Sequence, residues 1–315
     1  VEEFLCEESY PLVVKPVESW VSAGVKLCNS YDEAKSHVDY LLTRKTPDGA
    51  SCQAVLCQEV LRGKEFVVDH VSRDGVHKTV MLWVYDKHAA NGSSSVFYGY
   101  IPVDSESTEA KLLIPYTRKV LSALGIQNGA THAQVTMTRD GPCLVEMNCR
   151  AHGGDGVWKP LCNALTGGYS QVDATVDAFL DTHQFSLLPD KPPCPYKAHG
   201  QGVILVSHSR GVVKATPGFA AIQKMPSYVY LETALRPGSK VEYTTDLSTS
   251  IGACILMYSD KQVLEADLAR IREMEINNEM FEYEQEGNIL SSKSELHLSN
   301  MAETQRIESD RTDIY

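Results

Sequence analysis

Apolar positions along the chain fall into two rhythms, short runs or alternations bounded by Gly, Pro and Asp, and longer stretches of helical period. YPLVVKP (10–16) reads as a short buried strand closed by proline, and GVKLC (24–28) as a second, reached through the loop ESWVSAG (18–24). NSYDEAKSHVDYLLTRK (29–45) starts with capping residues, has acids in its first turn and bases in its last, and predicts a helix. After the turn KTPDGAS come AVLCQEVL, KEFVVDHVS and HKTVMLWVYD, separated by RG and RDG turns, which predict successive antiparallel strands. DKHAANGSSS (86–95) reads as a polar loop before the strand SVFYGYIPV.

Residues 108–124 have helical periodicity and run into a glycine. THAQVTMTRDGPCLVEMN (131–148) predicts a hairpin turning at RDGP, and residues 157–182 a largely helical stretch. DKPPCPYK (190–197), with three prolines, is the strongest linker candidate. Beyond it GVILVSHS, GVVKA, YVYLETAL and GACILMYS predict short strands, and VLEADLARIREMEINNEMFEYEQ a final helix. From Gly287 the chain is polar and irregular, the pattern of a disordered tail.

Composition narrows the class. The 315 residues are 43% hydrophobic and 22% charged, as expected of an ordinary globular protein. A net charge of −12 without a basic block argues against nucleic acid as partner. No apolar stretch approaches the roughly 20 residues of a membrane helix. The nine cysteines are scattered without a CxxC pair, which fits small core residues in a reducing cytoplasm, Cys149 among them.

Candidate chemistry concentrates in three stretches. In CLVEMNCRAHGGDG (143–156), an apolar run ends in Glu146, Asn148 and Arg150 at every second position, so their side chains share one strand face. That face suits a metal ion and phosphates; a solvated strand edge before a glycine turn is the plainer alternative. LCQEVLRGKEF (56–66) carries Gln58, Glu59 and Glu65 around a break at Gly63, a spacing able to meet adenine with backbone and ribose with a carboxylate, or simply a solvated hairpin. Lys15 in VVKP (13–16) is a lysine in an apolar strand, either snorkelling at an edge or facing an anion. His70 and His132 lie inside strands and read as packed or hydrogen-bonded histidines.

In order, these stretches resemble the ATP-grasp superfamily of carboxylate–amine and carboxylate–thiol ligases, over roughly residues 10–182. VVKP is similar to its nucleotide-binding lysine strand, ESWVSAGV to its phosphate-covering loop, QEVLRGKE to its adenine–ribose hinge, and THAQV with LVEMNCRAHGG to its twin metal strands. MLWVYDK, ALGIQNGATHAQV and RAHGGDG look closest to the amino-acid (dipeptide) ligases. The resemblance implies an α/β (α+β) ATP-grasp fold with two lobes of antiparallel sheet and helices, plus a strand-rich C-terminal subdomain. The corresponding division is 1–182 for the ATP-grasp domain, 183–197 for a linker, 198–286 for the subdomain and 287–315 for the tail.

The resemblance also implies roles. Lys15 would contact the ATP phosphates beneath the loop of Gly24; Gln58, Glu59 and Leu61 would meet adenine and Glu65 ribose. Gln134, Glu146 and Asn148 would bind Mg²⁺, or Mn²⁺ in its stead. Arg150 would neutralise the transferred phosphate, and His152, Gly153 and Gly154 would shape the substrate loop. The implied activity is ATP-dependent amide or peptide bond formation between small amino-acid-like substrates through an acyl phosphate, in the cytoplasm, without nucleic-acid or membrane partners. Three features depart from the family pattern. Gln134 stands where most members have Glu; the phosphate loop keeps only Gly24, with Trp20 and Val21 where small residues are common. The family's upstream domain, a route to homodimers, precedes where this sequence begins. A nucleotide-binding protein without ligase activity, and an ATP-grasp ligase or carboxylase of another substrate class, stay open as alternatives.

Overall fold

The computed structural model describes residues 2–18, 23–44 and 52–284. The chain opens with α1 (Glu2–Glu7), β1 (Leu12–Pro16), β2 (Lys26–Cys28), α2 (Tyr31–Thr43) and β3 (Val55–Glu59). β1 lies between β2 and β3, antiparallel to both. Ser30 caps α2 by accepting from the Glu33 amide, while the Glu33 carboxylate accepts from the Asn29 amide, which fixes the helix start that the capping residues predicted. Leu12, Val14 and Cys28 on one face of this small sheet pack against Leu5, Ala34, Val38 and Leu41 of the two helices. The alternation leaves Val13 and Lys15 on the opposite face.

The middle of the chain supplies β4 (Lys64–Arg73), β5 (Val76–Ala90), β6 (Ser93–Pro102), α3 (Thr108–Ala123), β7 (Gly129–Thr138) and β8 (Gly141–Asn148). Then follow α4 (Lys159–Thr166), α5 (Gln171–Leu180), α6 (Thr182–Leu187), β9 (His199–Leu205), β10 (Gly211–Ala215), α7 (Pro217–Ile222), β11 (Tyr228–Glu232), β12 (Lys240–Val241), β13 (Gly252–Tyr258) and α8 (Lys261–Ile276). Eight strands form one antiparallel sheet in the order β11-β13-β9-β6-β5-β4-β7-β8. β10 pairs with β12 separately.

Period-two alternation explains why both faces of the large sheet are covered. Phe66, Val68, Leu82, Ala133 and Val135 meet Ala110, Leu113 and Ile114 of α3. Val67, Met81, Trp83 and Tyr100 meet Trp158 and the α4 residues Leu161 and Leu165. Full burial of such side chains contributes about 2 kcal/mol each. This is the expected mixed fold of antiparallel sheets and helices.

Several elements differ from expectation. DKHAANGSSS is not a loop; β5 and β6 continue through it to an Asn91–Gly92 turn with φ of 52° and 82°. Asn-Gly tolerates two successive positive φ values, which suits a tight hairpin. The 157–182 stretch is largely helical, as expected, and is divided at Gly167 and Gly168, both at positive φ, into α4 and α5. The last helix stops at Ile276, where Asn278 turns left-handed at φ 57° and the chain folds back so that Gly218 N–H reaches Met280 O.

The three-proline segment is tied to the body, since Ser105 Oγ donates to Pro192 O and Tyr196 Oη to Val103 O. β9 pairs with β6, so strands from 198–286 share one sheet with those of 64–148. The centre of the phosphate-loop stretch (19–22, with Trp20 and Val21), the whole KTPDGAS turn and the tail from 287 lie outside the described residues. Among the described residues, no helix is long and apolar enough to cross a membrane.

Candidate active site

β3 ends in the small sheet at Glu59 and β4 begins in the large sheet at Lys64, so residues 60–63 carry the chain from one sheet to the other. Gly63 sits at φ 145°, and a Cβ there would lie 2.0 Å from the Met137 carbonyl oxygen. Only glycine lets the crossing run this close to β7. Glu59 is exposed at its strand end, while Leu61 is half-buried in the crossing.

Across the cleft the small sheet turns its Val13–Lys15 face toward β8. Leu27 and Leu56, the register partners of Val13 and Lys15, are 46% and 41% exposed. Lys15 is 8% exposed, and its Nζ donates to Val145 O at 3.2 Å and lies 3.8 Å from Glu146 Oε2. Gln58 Nε2 stands 3.5 Å from Leu144 O. A buried ammonium is stable only when paired, and here its partners are on the other sheet. Lys15 therefore points across the cleft and does not snorkel at an edge. Gly24 (φ 83°) packs by Pro16 and Leu41, and its carbonyl lies 2.8 Å from His37 Nε2.

On β7 and β8, Gln134 is directly paired with Glu146 and His132 with Asn148. Glu146 Oε1 accepts from Asn148 Nδ2 at 3.0 Å, and Asn148 Oδ1 accepts from Arg150 at 3.3 Å. The shared face expected for Glu146, Asn148 and Arg150 is thus present. Oxygen donors on Gln134, Glu146 and Asn148 make a hard set that suits Mg²⁺, with one carboxylate in place of two. Glu65, the ribose candidate, is ion-paired to Lys87 at 2.6 Å.

The loop after β8 is held from beneath. His152 N–H donates to Gln171 Oε1 at 2.7 Å, and Trp158 Nε1 donates to Gly153 O at 2.7 Å. Gly154 takes φ 78°. The His152 ring is buried among Trp83, Tyr100, His132 and Trp158, its Nδ1 3.0 Å from Asp69 Oδ2. Asp69 also accepts from His132 Nδ1 at 2.8 Å and from Trp83 Nε1 at 2.8 Å. Asp69, His132 and His152 could together offer ligand atoms to a metal, but their spacings are hydrogen-bond lengths. Burial works to raise the Asp69 pKa, but the neighbouring His152 and His132 outweigh it and hold the carboxyl well below its ordinary range. Burial pushes His152 down, against the opposing pull of Asp69.

Sequence reading brought Lys15, Gln134, Glu146, Asn148 and Arg150 to one place and missed Asp69, Tyr85, Lys87 and Gln171. An acid inside the apolar run VVDHV was the available signal for Asp69. His70 and His132 are buried and hydrogen-bonded as expected. Cys149 departs from expectation; it lies one residue past the end of β8 and is exposed, as are Cys6 and Cys194.

A small sheet set against a large one, with a lysine reaching across to a carboxylate whose partner on the neighbouring strand is an amide, is the ATP-grasp arrangement, and this chain carries an ATP-grasp domain. Residues 8–159 match the ATP-grasp domain family model. The chain is 31% identical to dapdiamide A synthase of Enterobacter agglomerans over 268 residues, covering 84% of this chain and 62% of that protein. It is 28% identical to a phosphoribosylamine–glycine ligase of Caldanaerobacter subterraneus over 161 residues, 47% of this chain and 38% of that protein. The L-amino acid ligase of Bacillus licheniformis superposes with a TM-score of 0.67 at 19% identity, over 89% of this chain and 65% of that one. The chain thus spans less than two thirds of the length of each of these relatives.

Proposed function

We propose that the protein is an ATP-dependent carboxylate–amine ligase, joining small amino-acid-like substrates by an amide or peptide bond and releasing ADP and phosphate. The observation that carries this reading is the meeting of Lys15 with Glu146, itself paired with Gln134, across the cleft. The names of the relatives, a dapdiamide synthase and an L-amino acid ligase, support the substrate class.

A free carboxylate does not react with an amine, because oxide would have to leave. In the proposed reaction a carboxylate oxygen of one substrate attacks the γ-phosphorus of ATP and ADP departs. The amine of the second substrate then attacks the acyl carbon, loses a proton, and phosphate leaves. Such chemistry asks the protein mainly for positioning and charge neutralisation. Lys15 is set to bind phosphate oxygens, and the exposed Leu27 and Leu56 offer an apolar wall for a base. Arg150 supplies a fixed fork of donors to the moving phosphoryl group or the substrate carboxylate. Mg²⁺, or Mn²⁺ in its place, held by Gln134, Glu146 and Asn148, would offset charge on the phosphates. Glu65, Gln58, Glu59 and Leu61 are assigned to ribose and adenine, and the 152–154 loop to the substrate. The sequence division at 182, 197 and 286 is retained as the proposed domain organisation.

Gln134 favours a second reading, a nucleotide-binding protein without turnover, because an amide offers the metal no charge. ADP and phosphate release by the full-length polypeptide, measured against pools of free amino acids, separates the two. ADP formation that needs a pair of amino acids supports the ligase. MgATP binding without turnover on any pool supports the second reading.

A further inference from the structure

Asp69 is 1% exposed on β4, and its carboxylate takes donors from His132 Nδ1, His152 Nδ1 and Trp83 Nε1. Both imidazoles commit their Nδ1–H to this one acid. The remaining ring nitrogen of His132, Nε2, lies 3.3 Å from Tyr85 Oη. When that imidazole is neutral, with its proton on Nδ1, Nε2 has only a lone pair and the hydrogen bond runs from the Tyr85 hydroxyl to His132. The single phenolic proton then points inward, and the oxygen lone pairs are left to face outward as an acceptor.

Tyr85 is half-buried where the site residues converge. Phe97 packs edge-on to its ring at 4.7 Å between centroids, and Lys87 Nζ stands 5.2 Å from the ring centroid. Glu65, Asp69, Arg150 and Glu146 are its charged neighbours. Of the groups taking part in the proposed reaction, phosphate and carboxylate oxygens are acceptors and have no proton to give this oxygen. The amino group does have N–H donors, whether it arrives neutral or charged.

We propose that Tyr85 receives the amino group of an amino-acid substrate, and that Asp69, acting through His132, is a positioning residue that turns the Tyr85 hydroxyl to accept it. This rests on the ligase reading and adds the residue that recognises the amine. Tyr85→Phe removes only the hydroxyl and leaves the ring against Phe97.

The test is steady-state kinetics of wild type and Y85F, alongside nitrogen NMR of the histidine rings. Loss of one such hydrogen bond raises the KM for the amino acid about tenfold, with the KM for ATP unchanged. Asp69→Asn, which can no longer accept from both histidines, raises the same KM. In wild type, His132 carries its proton on Nδ1, and its Nε2 resonance moves in Y85F. A KM for the amino acid unaltered in Y85F, or a loss confined to ATP affinity, overturns the assignment. A proton found on His132 Nε2 overturns the hydroxyl orientation even if D69N fails to fold. Wild type that forms no ADP with any amino-acid pool removes the ligase reading itself, and with it the amine assignment.

Discussion

Gln134 and Glu146 stand directly opposite each other on β7 and β8, and Glu146 Oε2 lies 3.8 Å from Lys15 Nζ on the other sheet. In the proposed reading, an amide and a carboxylate share the position where a divalent cation and a lysine would meet the phosphates. Gln134→Glu puts a second negative charge at this pair. Mg²⁺ affinity should rise several-fold by calorimetry, while metal-free thermal stability falls slightly from like-charge repulsion. Unchanged Mg²⁺ affinity would show that Gln134 is not a ligand.

Glu146→Ala removes the only carboxylate of the set and leaves the Lys15 ammonium, among the described residues, with Val145 O as its partner. Mg²⁺-dependent ATP affinity should fall at least tenfold or so, since even changes to groups behind metal ligands cost that much. The side chain is 42% exposed, so the folded state should persist by circular dichroism. MgATP affinity equal to wild type would count against the metal reading.

Arg150 is exposed, and among the described residues its side chain donates to Ala151 O and Asn148 Oδ1. Arg150→Ala should keep ATP affinity while turnover drops roughly a hundredfold, the usual cost of one preorganised donor. Single-turnover ADP formation checks it; an unfolded variant would make the arginine structural.

Gly63→Ala should destabilise the protein by about 1–3 kcal/mol, because the new methyl group meets the Met137 carbonyl at 2.0 Å and the backbone is held at φ 145°. Urea denaturation measures this. A variant as stable as wild type would mean the sheet-to-sheet crossing yields easily.

His70 is fully buried between Thr117 and Thr79, and burial, with Arg118 adding to it, brings its pKa down to about 3 from the ordinary 6.5. Between those values the unfolded chain takes a proton that the folded chain refuses, so stability falls as pH falls below 6.5. Between pH 7.5 and 5.5 this loss is about 1 kcal/mol. His70→Gln should flatten that part of the urea-measured pH profile; an identical slope would rule His70 out as its source.

Strand and helix types were legible wherever one period ran uninterrupted, as in KEFVVDHVS, HKTVMLWVYD and the 131–148 hairpin. They were misread where a local turn overrode composition. The polar DKHAANGSSS looked like a loop because its residues are hydrophilic, yet Asn91–Gly92 closes a hairpin whose edges face solvent. The 263–285 stretch looked like one helix because its composition favours helix, and Asn278 ended it.

The sequence by itself determined that Glu146, Asn148 and Arg150 share a face, because strand alternation is a local property of the backbone. It also determined which stretches alternate and which have helical period, and hence the mixed class of fold. Only the tertiary structure decided that Lys15 crosses to Glu146, that Glu65 pairs with Lys87, and that Asp69 collects two histidines and a tryptophan. Those contacts join residues 131, 22 and up to 83 positions apart. Sheet order and register bring them together, and no local periodicity encodes which strands will be neighbours.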